Sequence, residues 1–594
     1  MTPSSRPIAR RIAPLTTLAF LLALLFALAP DASAQRPLHP KELQAREAQR
    51  EREHKDEPLR REQWFYEQRM LPDGRVPASL RLDALRRMQD MMEAEGKLFR
   101  RRDAQGNVIS EEFLIPPSTT QWTPIGPQPA STGSVVGNVS GRIGALAVHP
   151  TNANFVFLGG AQGGVWRSTD GGFTWTPISD TQVSLSIGSI AIDPSNPNVV
   201  YVGTGEQTFS GSSYYGAGVL KSTNALDPNP ANVTWTQLGA STFAGPFSSG
   251  LGGAFIGSLA IHPQNTQIIL AGVQIFVTAD GGSSSGIYRT TNGGVNWTQV
   301  LAGAPGTEVL FDASNPAIAY AALGSIFGDT DNGVYKSTDS GATWARADAA
   351  GTQKLPTTNV GRIEIAIAPT STSTLFASIQ NSGSGSSFGA LLGFFKSTDA
   401  GINWTQLTGA PDFCTPQCWY DHVIKVHPNN SSVVYAGGSA VSNFFMRSTD
   451  GGQTWSSAIR GANNNQLHVD QHAIAFGPGS GTATKIYVGN DGGAWSSDVS
   501  NSTAALNWTN LNATLSLTQF YPGMSIHPSD DQLGFGGTQD NNTQRYTGSL
   551  TWQTVTCGDG GWTAIDPAIP TTVYATCQNV DIRKSTNSGL PGTF

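Results

Sequence analysis

The sequence predicts an all-β protein. It reads as a β-propeller of four-stranded blades, about nine or ten in one ring or divided between two smaller rings, behind a short N-terminal helical arm. Three observations predict this. The phrase Arg167-Ser-Thr-Asp-Gly-Gly-Phe-Thr-Trp175 recurs as Arg289–Trp297, Lys336–Trp344, Lys396–Trp404 and Arg447–Trp455, with a looser copy at Lys221–Trp235 and an incomplete one from Lys584. Upstream of these phrases lie apolar runs that end in Pro, such as Ile143–Pro150, Ile187–Pro194, Ile256–Pro263, Ile363–Pro369 and Val423–Pro428. The phrases return roughly every 45–60 residues, the length of a propeller blade.

Each blade can be written strand by strand. The apolar run, lacking polar alternation, reads as an inner strand buried on both faces. A second run follows a turn, as at Phe155–Leu158, Val199–Val202, Val433–Ala436 and Ile486–Val488. The third strand ends on Arg/Lys-Ser/Thr, and the phrase itself turns into the outer strand. In that turn Asp170 can accept backbone amides, Gly171 and Gly172 permit positive φ, and Trp175 is a large apolar anchor. The same roles fall to Asn292 and Trp297, Asp339 and Trp344, Asp399 and Trp404, and Asp450 and Trp455. Eight blades are complete or nearly so between Gly141 and Val555, and a ninth begins at Gly561. Gln121–Gly126 resembles a lone outer strand that would close the ring on the last blade; equally, the unfinished ninth blade is what a propeller truncated at its C-terminus would show.

The Ser-x-Asp-x-Gly-x-x-Trp turns resemble the Asp-box, or bacterial neuraminidase repeat. That repeat occurs in sortilin-type propellers, sialidases, two-propeller xyloglucanases and a photosystem II assembly factor. The string Gly163–Gly172 is most similar to secreted bacterial sortilin-like or glycosyl-hydrolase-like repeat proteins. The resemblance runs from about Gln121 to the end. It implies the fold firmly and the function loosely, because these relatives do unrelated things.

Two segments precede the repeats. Arg6, Arg10 and Arg11, the apolar stretch Leu15–Ala29 and the Ala32-Ser-Ala34 cleavage pattern make residues 1–34 a signal peptide. A secreted or periplasmic protein without a transmembrane anchor after cleavage is expected. Residues 35–113 form a charged helical arm or linker, with helix-like patches at Lys41–His54 and Leu80–Arg102; residues 114–594 form the propeller. Charge is sparse overall, 36 Lys and Arg against 43 Asp and Glu. Such a lightly charged, acidic surface argues against nucleic acid as a partner. No cofactor is expected. Cys557 and Cys577 flank the turn Asp566–Thr571 symmetrically, so a hairpin would join them; Cys414 and Cys418 would close a small loop.

Blade topology sorts the loops. The Asp turns all lie on one face and read as structural staples. Second-to-third-strand loops and the approaches to inner strands share the other face, around the channel mouth. There stand Arg142, Gln162, Glu206, Arg362, Asp491, Asp540 and Asp559 as ligand-binding or catalytic candidates. His468-Val-Asp470-Gln-His472 would place two imidazoles and a carboxylate on one side of a strand. That set suits a metal site, a His–Asp acid–base pair, or a hydrogen-bond network knitting blades. We take the network, since no downstream ligand completes a metal set. His149, His262, His427 and His527 read as turn residues.

Three functions compete. The first is a binding module for a polysaccharide or protein ligand at the mouth. The second is a glycoside hydrolase using two of Glu206, Asp470, Asp491, Asp540 and Asp559, which would need carboxylates about 5–10 Å apart. The third is an envelope scaffold. Arg142-Ile-Gly144 and Arg362-Ile-Glu364 depart from the Arg-Ile-Pro that a sialidase would carry, and the paired Asp context of the xyloglucanases is not recognisable. The binding module is the first choice.

Overall fold

In the computed structural model, Ser79–Ala94, Leu98–Arg102, Val108–Phe113 and residues 123–594 are described, apart from 209–212, 244–252, 276–283, 384–386, 479–483 and 579–580. The leader and the Lys41–His54 patch lie outside them. Seven four-stranded antiparallel sheets succeed one another in chain order. Their inner strands begin at Ile143 (blade 1), Ile187 (blade 2), Phe255 (blade 3), Gly306 (blade 4), Val360 (blade 5), Val423 (blade 6) and Gln471 (blade 7).

The Asp turns form as their chemistry dictates. The Ser168 hydroxyl donates to Asp170 Oδ1 (2.8 Å) and accepts from Gly172 N (2.8 Å), while Asp170 accepts from Thr174 N and Oγ1 at 2.9 and 2.6 Å. Gly171 and Gly172 have φ of 79° and 100°. The pattern repeats around Asp339, Asp399, Asp450 and, with an amide, Asn292. After the turn, the Trp inserts between its own blade and the preceding one: Trp297 packs with Tyr201 and Val219 of blade 2, and Trp404 with Tyr320 and Val334 of blade 4. Trp344 and Trp455 pack at the edges of the corresponding clusters.

This rule reveals the ring size. Trp175 of blade 1 donates to Leu511 O of blade 7 at 2.9 Å, and Ile143, Val156 and Leu158 share one core cluster with Tyr487, Ala494 and Leu511. Blade 1 therefore seals against blade 7, and seven blades close. A single ring of nine or ten is excluded, and of the two smaller rings that stood as the alternative one, of seven blades, closes among the described residues. Two further sheets lie beyond the seven blades: Ser525–Thr556 forms sheet 8, and Gly560–Ser585 forms the three-stranded sheet 9. These lean on each other through Leu533, Phe535 and Val573, while Trp562, Ile526 and Ile582 remain 60–69% exposed.

Three further expectations change. The second strands, not the inner ones, are buried throughout, as in Val156–Gly160 and Ala319–Leu323; the inner strand Ile143–Val148 is only partly buried because one flank lines the channel. The N-terminal segment does not complete sheet 9. Ala130–Ser131 instead pairs in parallel with Trp552–Gln553 of sheet 8 and then turns back as Asn138–Val139. Trp552 Nε1 donates to Ile125 O (2.7 Å). In the arm, the helix spans Ser79–Ala94, and Leu98–Arg102 is a strand paired with Val108–Phe113, not helix. Arg81 ties that helix to the ring by donating to Asp180 O and Gln182 O at 2.6 and 3.1 Å.

Both expected disulfides are present. Cys577 pairs in register with Gly560, so Cys557 reaches it from the connection between sheets 8 and 9 and not from the facing strand. The proline-preceding histidines are turn residues: Nδ1 of His149 and of His262 accepts two backbone amides, as the carboxylates of Asp193 and Asp312 do in blades 2 and 4.

Candidate functional site

The channel mouth holds a buried polar network that joins blades 1, 2, 6 and 7 to sheet 8. Arg142, on the approach to the inner strand of blade 1, is 1% exposed. Its Nε lies 2.6 Å from Glu206 Oε1, its Nη2 donates to Glu206 Oε2 (3.0 Å), and its Nη1 donates to Tyr420 OH (2.7 Å). The phenol donates onward to Asp491 Oδ2 at 2.5 Å. Asp491, wholly buried, also receives His472 Nε2 (2.6 Å) and Gln539 Nε2 (2.9 Å). Asn541 of sheet 8 donates to the Asp491 carbonyl (2.9 Å).

The electrostatics split the carboxyls into two kinds. Burial would raise Asp491, but His472 and Arg142 outweigh it and hold it well below the usual carboxylate range. Burial pushes Asp421 well up; Asp470 rises by burial and the neighbouring Asp421 and Asp491, and Asp540 by burial and Asp559, Asp491 and Asp470. Burial would lower Arg142, yet Glu206, Tyr420 and Asp491 keep its guanidinium firmly charged.

Several sequence candidates meet here: Arg142, Glu206, His472, Asp491 and, beside them, Asp470 and Asp540. Asp559 is a supporting residue, accepting from Asp540 N (2.6 Å) and Gln578 Nε2 (3.0 Å). The shared strand face expected for His468, Asp470 and His472 does not form. The inner strand starts only at Gln471, and Asp470 has φ of 63°, which breaks the two-residue alternation. His472 alone reaches Asp491, while His468 packs against Gly492. Gln162 stands half-buried in the blade 1 mouth loop and is not among the partners just described. Arg362 lies deeper, inside the blade 5 inner strand, paired with Glu364 (2.8 Å).

Below the mouth, the channel encloses a cavity of about 190 Å³ lined in part by Gln207, Thr307, Glu308, Arg362, Lys425 and His472. Lys425 of blade 6 crosses it to Glu308 of blade 4 (3.3 Å). Burial raises Glu364 to about 7, with Glu308 adding to the shift and Arg362 opposing it. Sequence reasoning missed Tyr420, Asp421, Gln539, Glu308, Glu364 and Lys425. Tyr420 and Asp421 occupy the same approach position that marked Arg142, so the rule was available. Glu308, Glu364 and Lys425 carried a fainter signal, as charges interrupting otherwise apolar inner strands.

Solved structures share this architecture. An ancestral GH74 enzyme is 19% identical over 77% of this chain and 60% of its own, with a TM-score of 0.55. The GH74 xyloglucanase from Xanthomonas campestris gives 17% identity, 76% and 67% coverage and a TM-score of 0.54. A GH74 enzyme from Niastella koreensis gives 20%, 76%, 66% and 0.53. The chain thus spans about 60–67% of the length of these proteins. At such identities the likeness establishes the β-propeller fold alone. No family model matches the sequence, and no curated protein does. Among the described residues no helix is long and apolar enough to cross a membrane.

Proposed function

We propose that this is an exported propeller that binds a carbohydrate at the channel mouth and in the cavity beneath it, without cleaving it. The observation that carries the reading is the cavity of about 190 Å³, whose lining mixes amide, hydroxyl, carboxylate, guanidinium and ammonium groups from facing blades. A polyol presents many hydroxyls that each need both a donor and an acceptor, and such a lining supplies them. The recurrent Asp turns, read as Asp-boxes, are the scaffold. The leader-like residues 1–34 and the two disulfides support export.

Hydrolysis is the weaker reading for a geometric reason. Asp470, Asp491 and Asp540 offer oxygens all within 4.8 Å of one another, and the strongly ionised Asp491 is fully buried and already occupied by Tyr420, His472 and Gln539. These carboxyls therefore fall short of the separation of about 6.5–9.5 Å in an inverting pair, and the partners of Asp491 occupy the oxygens a retaining nucleophile would need. One observation favours cleavage: Glu364, raised to about 7, stands beside Glu308 in the cavity, an arrangement suited to a general acid and a base.

The test is incubation with a panel of plant, bacterial and mucin polysaccharides, scoring pull-down and new reducing ends together. Binding without reducing ends is the expected result. Reducing ends that disappear in E364Q would replace binding by hydrolysis, and neither signal would withdraw the carbohydrate reading.

A further inference from the structure

The mouth network contains more buried carboxyl groups than its cations can serve. Glu206, Asp421, Asp470, Asp491 and the half-buried Asp540 face one guanidinium, Arg142, and two imidazoles, His472 and His468, the second of which burial biases toward its neutral form. Glu206 and Asp491 take up Arg142 and His472. Asp421, Asp470 and Asp540 therefore lie together with no cationic side chain allotted to them.

Their spacing is compatible with a coordination sphere. Asp470, Asp491 and Asp540 each offer an oxygen, and these oxygens lie within 4.8 Å of one another. A calcium ion holds its oxygen ligands at about 2.3–2.6 Å, so ligands on opposite sides stand about 4.6–5.2 Å apart. Three loops contribute: the approach to the blade 7 inner strand (Asp470), the blade 7 mouth loop (Asp491) and the corresponding loop of sheet 8 (Asp540). Asp470 and Asp540 both adopt positive φ, 63° and 55°.

A separate observation points to a ligand. Asp421, on the approach to blade 6, is 0% exposed, and neither of its carboxyl oxygens receives a well-formed hydrogen bond; only the Ser439 hydroxyl and the Asp470 carboxyl stand beside them. The Ser439 hydroxyl beside it is committed to Cys414 O (2.9 Å). The ionisable side chains it meets, Asp470 and Asp491, are themselves carboxyls. The side-chain oxygens of Asn541 and Gln539, buried in the same junction, are also without donors. A buried carboxyl served so poorly forfeits solvation that the rest of the junction does not return. Unserved acceptors that converge beside an incomplete oxygen cage call for a cation.

We propose that Asp421, Asp470, Asp491 and Asp540 form a calcium site that fastens sheet 8 to the seven-bladed ring. Calcium fits better than magnesium. It accepts several carboxylates in irregular geometry, whereas magnesium demands a near-ideal octahedron and retains its waters. Neither histidine is a ligand: His472 is spent on Asp491, and His468 packs on Gly492. The site stands independently of the carbohydrate reading, since it concerns how the two parts of the chain are joined.

The experiment titrates calcium chloride, and separately magnesium chloride, into chelator-stripped full-length protein at neutral pH, read by calorimetry and by the thermal midpoint. The expected result is one calcium per chain with Kd of about 10⁻⁴ M or tighter, and a midpoint that rises with calcium and not with magnesium. The double variant D421N/D470N should lose that heat, while D450N, in an Asp turn on the opposite face, should keep it. Absence of calcium heat in the wild type at millimolar concentration would overturn the proposal, leaving the carboxyls to share protons. Undiminished binding in both D421N/D470N and D540N would overturn it too, by placing the ion elsewhere. The wild-type titration decides the matter if the double variant fails to fold.

Discussion

The two faces of the ring carry acidic residues in opposite ways. On the turn face, Asp170, Asp339, Asp399 and Asp450 repeat in register, stand at the surface and spend their oxygens on local amides and hydroxyls two to four residues away. At the mouth, Asp421, Asp470, Asp491 and Asp540 follow no repeat, are largely buried, and meet partners from other blades. Local satisfaction makes the first set good staples and poor reagents. Non-local placement, with desolvation and unequal neighbours, gives the second set the perturbed acidities expected of a functional site.

The sharpest way to break this comparison is to remove a staple's anchor. Trp175→Ala empties the blade 1–blade 7 seam, and we expect a loss of about 3–5 kcal/mol in denaturant unfolding. An Ala variant as stable as wild type would mean the ring is not sealed there. Arg142→Met should cost about as much, roughly 3–5 kcal/mol, because it leaves Glu206 buried without its cation and Asp491 with His472 alone. The double variant R142M/E206Q should recover part of the loss; equal losses in both would show that the pair does not act together.

A smaller effect is expected at the Cys414–Cys418 bridge, which fixes the loop carrying Tyr420. Its replacement by serines should cost about 2 kcal/mol for so short a loop, measured against the reduced wild type as control.

Acidity separates the faces further. Glu364 titrates at about 7 when folded against 4.5 unfolded, so its neutral form favours folding. Its contribution is full below 4.5 and is lost as pH rises through about 7. E364Q should therefore flatten the decline of unfolding free energy across that window, and an unchanged slope would remove Glu364 as its source. The turn-face acids run the other way. Asp450 titrates at about 2 when folded against 3.8, so its contribution is present above 3.8 and lost as pH falls through about 2. D450N should remove only that small acid-side loss, seen in acid titrations of stability.

Sequence legibility divides along the same line. The strand order, the turns and the anchoring Trp residues were readable because each repeat solves one local problem and solves it again. Ring size was not readable, because closure depends on Trp175 finding Leu511, a contact between residues far apart in the chain. At the mouth, the sorting of loops to that face was readable from topology, and so was the presence there of Arg142, Glu206 and Asp491. The partnership was not: Tyr420 and Gln539 look like ordinary loop residues until the fold brings them to Asp491. The His468–His472 reading failed for a backbone reason, since the positive φ of Asp470 is invisible in an alternation pattern.

The claim that the mouth and cavity bind while the turn face only scaffolds is tested most directly by one titration. An oligosaccharide retained in the panel would be titrated calorimetrically into wild type, K425A and D450N. We predict that K425A weakens binding by about tenfold or more, the worth of a charge-assisted hydrogen bond, while D450N binds as wild type does. Weakened binding in D450N with K425A unaffected would contradict the account.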